Sequence, residues 1–325
     1  MADLSTDFVG LNLRNPLIVS SSGLTDSVEK IQKLEKAGAG AIVLKSLFEE
    51  QILFEAGHLA GSSDYPEADD YIQNYTRSNS VDKYLDLIEE ASAAVSIPVI
   101  ASINCVSAAE WTDFATKIEE AGAAALELNV YFLPAGKDAS SQVYEKLYLD
   151  IAEKVRHQID IPVIMKLGMH FTHLVNMVDL LYHRGVDGVV LFNRFYSPDI
   201  NTRELKMTSS EVFSSPADQR FSLRWVAIVS ALVDTVHLAG STGVHDGQAM
   251  VKQILAGARA VQVCSAIYKQ GPGIISTMLD DLNAWMDQKG FASLNDFRGS
   301  MNYKNLPEPQ VYERSQFMKY FSNHH

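Results

Sequence analysis

AGAGAIVLKS (37–46), AGAAALELNV (121–130), RGVDGVVLFN (184–193) and AGARAVQVCS (256–265) follow one grammar: a glycine, then a short apolar run. Gly38, Gly122, Gly185 and Gly257 stand where a helix needs a left-handed residue at its end, so each run follows a helix. Three further runs follow a proline instead: Asn15-Pro-Leu-Ile-Val-Ser, Ile97-Pro-Val-Ile-Ala-Ser and Ile161-Pro-Val-Ile-Met-Lys. Thr235-Val-His-Leu-Ala-Gly fills the remaining gap. The eight runs lie near 15–22, 41–46, 98–104, 124–130, 162–168, 188–193, 235–241 and 261–267. Short unbroken apolar runs suit strands buried on both faces, as in a parallel sheet.

Helical patterns separate them. Ser107-Ala-Ala-Glu110 reads as a capping box, followed by Trp111, Phe114, Ala115, Ile118 and Ala121 along one face. Segments 27–37, 81–94, 141–158, 173–184, 221–233, 246–256 and 272–288 read as helices too. Eight strands each followed by a helix imply α/β architecture of the (β/α)8 TIM-barrel type, one domain over 1–325. A doubly wound open sheet fits less well, because composition shows no break at mid-chain. Extra length at 47–80, 131–140 and 194–220 follows strands two, four and six, which places it at the C-terminal mouth as rim insertions over a small-molecule site. Asp7-Phe-Val-Gly-Leu-Asn-Leu13 alternates around a glycine, as an N-terminal hairpin closing the bottom would.

The chain has 325 residues, 47% hydrophobic and 21% charged, which describes a soluble globular protein and excludes collagen-like, low-complexity and disulfide-stapled chains. A net charge of −13 disfavours nucleic acid as a partner. The two cysteines, Cys105 and Cys264, form no disulfide framework and no zinc spacing. No signal peptide or membrane span is read, so the expectation is a cytoplasmic protein without a membrane partner.

Polar residues end several of the apolar runs: Lys45, Asn104, Asn129, Lys166 and Asn193. Each alone reads as a solvated rim residue, but five converging from five strands read as a site. Three amides and two ammonium groups suit a flat, electron-rich ring with imide and carbonyl groups; a divalent metal would want carboxylates or histidines, so no metal is expected. Lys166, inside Val-Ile-Met-Lys-Leu-Gly, needs an anion if buried; a flavin's N1–C2=O edge supplies one, and a Schiff-base lysine is the alternative. Leu238-Ala-Gly-Ser-Thr-Gly-Val-His-Asp-Gly247 and Val263-Cys-Ser-Ala-Ile267 follow strands seven and eight, the usual phosphate site of this fold. Gly240, Ser241, Gly243 and the Cys264 and Ser265 amides are the phosphate candidates, with Ser20-Ser-Ser-Gly23 supplying small residues beneath a ring. His237 reads as a satisfied core histidine, and the aromatics Tyr71, Tyr75, Tyr131, Phe132 and Tyr196 as pocket walls or loop packing.

These residues resemble the dihydroorotate dehydrogenase family of FMN-dependent (β/α)8 barrels, most closely its soluble group, over residues 7 to 290. The likeness is carried by Asn15-Pro16, Ser21-Ser-Gly23, the run ending Lys45-Ser46, Ser107-Ala-Ala-Glu110, Glu127-Leu-Asn129, Lys166-Leu, Asn193, Gly240-Ser-Thr-Gly-Val, and Gln262-Val-Cys-Ser-Ala-Ile with Gly271-Pro272. The resemblance implies FMN as cofactor. Ser21, Ser22 and Gly23 would pack on the flavin, Lys45 and Ser46 would contact its ring, Asn104 would add a contact, and Lys166 would hold its N1–C2=O edge. Gly240, Ser241, Gly243, Cys264 and Ser265 would hold the phosphate. Lys45, Asn129 and Asn193 would bind substrate, Asn129 also meeting the flavin. It further implies a homodimer, a place in pyrimidine biosynthesis, and proton removal by a base with hydride transfer to flavin N5.

The chain departs from that family at the base. Asn-x-Ser-Cys-Pro-Asn is replaced by Asn129-Val-Tyr-Phe-Leu-Pro134, so Phe132 takes the base's place and Pro134 that of a substrate-binding asparagine. The substrate loop is replaced by Asn74-Tyr-Thr-Arg-Ser-Asn79. Losing a base costs ~10²–10⁴ in rate. Cys105, Tyr131 and Ser140 are the possible substitutes, and none is assigned as catalytic. The alternatives are a flavin-binding homologue without turnover and a phosphate-binding lyase or isomerase using Lys166.

Overall fold

The structure, a computed structural model, describes residues 2–48, 66–104 and 112–314. Eight parallel strands form a closed ring: β3 (Leu17–Val19), β4 (Ala41–Val43), β6 (Val99–Asn104), β7 (Ala125–Asn129), β8 (Val163–Leu167), β9 (Gly188–Leu191), β12 (His237–Ser241) and β13 (Ala260–Val263). Each pairs with the next, and β13 returns to β3, so the barrel leaves no edge. A two-residue strand, β5 (Leu47–Phe48), adds to the upper end of β6.

Seven main helices flank the ring: α1 (Val28–Lys36), α2 (Pro66–Ala94), α3 (Thr112–Glu120), α4 (Ser141–Arg156), α5 (Leu174–Tyr182), α6 (Gln219–Leu232) and α7 (Gly247–Ala256). After β13 come the short α8 (Ser265–Gln270) and α9 (Ile274–Lys289), then α10 (Gln310–Glu313). The glycine grammar is met in the backbone: Gly38, Gly122, Gly185 and Gly257 have φ of +110°, +88°, +82° and +115°.

The N-terminal hairpin is β1 (Thr6–Phe8) against β2 (Leu11–Leu13), antiparallel. It pushes Phe8, Val9 and Leu13 into the barrel floor, where they meet Ile18, Ala41, Val43, Ile100, Ala125, Ile164, Val190, Ala239 and Ala260. Side chains alternate along strands, so two residues further the same inner faces carry Ser20, Ser102, Glu127, Lys166, Ser241 and Gln262. An apolar floor and a polar layer are therefore one pleat apart.

Three expectations are corrected. The eighth run does not continue as strand to 267; it stops at Val263, and Ser265 opens α8. Insertion 194–220 is not a plain loop, since Pro198–Asn201 (β10) and Lys206–Ser209 (β11) form an antiparallel hairpin. Residues 74–79 are not a loop but part of α2, which begins at Pro66 rather than near 81; proline at a helix start costs no hydrogen bond. The capping box at 107–110 lies outside the described residues.

Candidate functional site

At the barrel axis, Lys166 Nζ lies 2.9 Å from Ser20 Oγ, 2.9 Å from Gln262 Oε1 and 3.5 Å from Glu127 Oε1. Gln262 donates its amide N–H to the other oxygen of Glu127. Glu127 is fully buried and Lys166 is 5% exposed. Desolvating either charge alone is costly, and the opposite charge with satisfied hydrogen bonds offsets that cost. The three Nζ hydrogens have three acceptors, so Lys166 is held in one place.

Beside this cluster runs a hydroxyl relay. Ser21 Oγ is 3.0 Å from Ser46 Oγ and accepts from Ser46 N, and Ser46 Oγ is 2.7 Å from Ser102 Oγ. Tyr84 of α2 anchors the relay, donating to Ser102 O and accepting from Ser102 N. Burial pushes the Tyr84 hydroxyl above the usual tyrosine range, so it stays a neutral donor.

The turn after β12 is built for close backbone approach. Thr242 and Gly243 both have positive φ, +73° and +80°. A Cβ on Gly243 would stand 2.2 Å from Gln219 N, so only glycine fits. Gly243 N–H donates to Ser214 Oγ at 3.3 Å, and that hydroxyl is 3.0 Å from His245 Nε2. Ser214 N–H donates to Ser265 Oγ, and Lys269 donates to Ser214 O, both at 3.0 Å. Burial and the Lys269 charge press the His245 pKa down. The end of the sixth-strand insertion is thus latched across the turns after β12 and β13. Arg194 fastens the same insertion, donating to Val212 O and Glu211 O and pairing with Asp218 at 3.2 Å.

Between latch and axis lies a cavity of about 600 Å³, within the range of small-molecule sites. Ser21, Ser22, Lys166, Asn193, Ser241, Gly243, Cys264 and Ser265 line it, with Ser20, Gln262 and Tyr268. Burial raises the Cys264 thiol pKa, partly opposed by a hydrogen bond with Ser22 and the Lys166 charge. Of the other sequence candidates, Ser46 sits behind Ser21, and Asn129 accepts from Asn193 Nδ2 at 2.8 Å. Gly23, Lys45, Asn104 and Gly240 lie outside the lining. A Cβ on Gly23 would stand 2.9 Å from the Tyr268 hydroxyl, and one on Gly240 would stand 2.5 Å from Gln253 of α7.

Of the five strand-end residues, Lys166 and Asn193 line this cavity, and Asn129 adjoins it through Asn193. The cavity occupies the β8–β9–β12–β13–β3 arc, whereas exposed Lys45 follows β4 and half-buried Asn104 ends β6, across the ring from β12.

Phe132 turns off the main cavity: its ring packs edge-on to Tyr148 at 5.4 Å. Tyr131 stacks on Phe195 at 4.0 Å, and His170 stacks on the same ring at 5.7 Å. Gly168 admits that ring, for a Cβ there would stand 2.4 Å from Phe195 Cζ. Ser140 is exposed at the N-cap of α4, and Cys105 lies outside the described residues. His237 accepts from Val9 N–H at 2.7 Å, a structural use. Sequence reasoning did not assign Glu127, Gln262, Ser214 or His245 to the site. The available signal was a charge and an amide inside the apolar runs ALELN and AVQV.

No helix among the described residues is long and apolar enough to cross a membrane. The described residues also hold no group of three or more His, Cys, Asp or Glu placed to bind a metal ion.

A model of the dihydroorotate dehydrogenase family matches residues 3–286. Among similar proteins, the catalytic subunit of dihydroorotate dehydrogenase B (NAD(+)) from Thermoplasma volcanium is 26% identical, covering 92% of this chain and 98% of its own. The corresponding subunit from Methanothermobacter thermautotrophicus is 29% identical over 91% of this chain and 97% of its own. A putative dihydroorotate dehydrogenase A (fumarate) from Aeropyrum pernix is 28% identical, with 91% and 97% covered.

Proposed function

The chain belongs to the dihydroorotate dehydrogenase family, and from that premise we propose that it is an FMN-dependent oxidoreductase acting on dihydroorotate or a related dihydropyrimidine. The single observation that carries the cofactor assignment is the cavity itself, lined by a buried ammonium, a glycine-required turn and the Cys264–Ser265 segment. That donor set fits a long ligand with a carbonyl-rich ring and a terminal phosphate.

Bound FMN would supply the two-electron acceptor that takes a hydride from the substrate. The protein's residues do the rest. Lys166, steadied by Glu127, Gln262 and Ser20, would set its positive charge beside the ring's carbonyl edge. Gly243, Ser265 and the Ser214 latch would hold the phosphate and exclude water from that end. Asn129 and Asn193 would orient the substrate ring. The proton leaving the substrate has no assigned acceptor among the described residues, since Phe132 carries no basic group.

A second reading, a flavin-binding homologue without dihydroorotate turnover, is favoured by Phe132 packing on Tyr148 rather than facing the cavity. A Schiff-base lyase is disfavoured, because Lys166 is committed to three acceptors. The absorbance spectrum of the purified protein tests the cofactor: flavin bands are expected, and a colourless protein would sink the assignment. Anaerobic dihydroorotate should then bleach those bands, and their persistence would favour the second reading or a different substrate.

A further inference from the structure

We propose that binding of a phosphate monoester at the turn after β12 is coupled to uptake of a proton by His245, relayed through the Ser214 hydroxyl. The inference rests on the flavin reading above and deepens it, making His245 a positioning residue for the cofactor's phosphate.

The first observation is a hydroxyl whose bonding capacity is fully used. Ser214 is buried and belongs to the cavity lining. Its Oγ accepts from Gly243 N–H at 3.3 Å and lies 3.0 Å from Nε2 of half-buried His245. A hydroxyl has one hydrogen and two lone pairs. While Nε2 is bare it takes that hydrogen, and the pair offers the cavity no donor. A proton on Nε2 reverses the bond: Gly243 and His245 then fill both lone pairs, and the hydroxyl hydrogen is released to a phosphate oxygen. Such a hydrogen bond to an anion is about twice as strong as a neutral one.

The second observation is charge. Burial and then Lys269 press the His245 pKa down, while Ser214, Asp246 and Asp218 act upward and do not cancel them. The two carboxylates are already engaged. Asp246 caps α7 through Ala249 N–H, and Asp218 pairs with Arg194 and accepts from Ser215 N–H. Glu211, also in the lining, is exposed. Lys269 is bonded to a neutral group, Ser214 O, and faces the Phe213 ring at 6.0 Å. A dianion arriving here offsets the Lys269 charge and attracts the imidazolium, whichever neutral tautomer precedes it.

The third observation is position. Ser214 N–H donates to the buried Ser265 Oγ at 3.0 Å, so the hydroxyl is fixed between the turns after β12 and β13. Linkage is reciprocal: if phosphate favours protonated His245, the proton favours phosphate by the same factor.

The test uses the full chain freed of bound flavin. FMN and riboflavin, the same ring without the phosphate, are titrated by calorimetry in buffers of different ionisation enthalpy. The window is about pH 7 to 8, above the second ionisation of a phosphate monoester. FMN is expected to take up roughly half a proton or more near pH 7, and its affinity to fall ~3–10-fold by pH 8; riboflavin should show neither. His245→Asn should flatten the FMN profile and bring its proton uptake to the riboflavin value, and Ser214→Ala should remove most of the uptake. Riboflavin binding in both variants checks that they are folded. Equal uptake with the two flavins, or uptake that survives either substitution, would overturn the proposal. Failure of both flavins to bind at any pH would instead defeat the cofactor reading.

Discussion

The floor and the mouth of this barrel are built on the same strands, one pleat apart, and obey opposite rules. At the floor the inward residues are Ile18, Ile100, Ala125, Ile164, Ala239 and Ala260, sealed by Phe8, Val9 and Leu13. Two residues on they are Ser20, Ser102, Glu127, Lys166, Ser241 and Gln262. Removing a group from the floor costs packing. Removing one from the polar layer costs its partner's compensation as well, because buried charges and amides there exist only in pairs.

That contrast can be broken in order of size. Lys166→Met should have the largest effect, roughly 3–5 kcal/mol of stability, because it leaves Glu127 buried without its counter-charge. Cofactor content should fall with it. The double variant Lys166→Met/Glu127→Gln should recover much of the thermal midpoint but not the cofactor. If stability does not recover, the pair is not what makes the layer costly. Leu13→Ala, at the floor, should cost about 2–5 kcal/mol by denaturant unfolding. Its ligand affinity in the folded state should be unchanged, and a shift in affinity would join the two layers that the structure separates.

The smallest effect is on acid stability. Burial, with Arg259, lowers the His237 pKa below 6.5, and neutral Nδ1 accepts from Val9 N–H. Asp7, 3.4 Å away, opposes this incompletely. As pH falls through 6.5, the unfolded chain takes up the proton first, so stability is full above that point and declines below it. His237→Asn keeps an acceptor that does not titrate. Its stability should fall less steeply between about pH 6.5 and 5, and an unchanged slope would assign the acid sensitivity elsewhere.

The barrel was legible because its signals are local: proline or glycine, then a short apolar run, eight times. The polar layer was less so. Glu127 and Gln262 are 135 positions apart, and nothing local says that ring closure will set them in contact. The hairpin β10–β11 escaped because its residues are almost all exposed and carry no apolar alternation. The first half of α2 escaped for a related reason: Pro-Glu-Ala-Asp-Asp is acidic and lacks an apolar stripe.

The plugged floor has a kinetic corollary. With Phe8, Val9 and Leu13 stopping one end, the described residues leave the barrel open at the other, and on the proposed reading an electron donor and an electron acceptor would both approach from that side. Turnover would proceed by alternate visits, with each reactant acting as a competitive inhibitor of the other at high concentration.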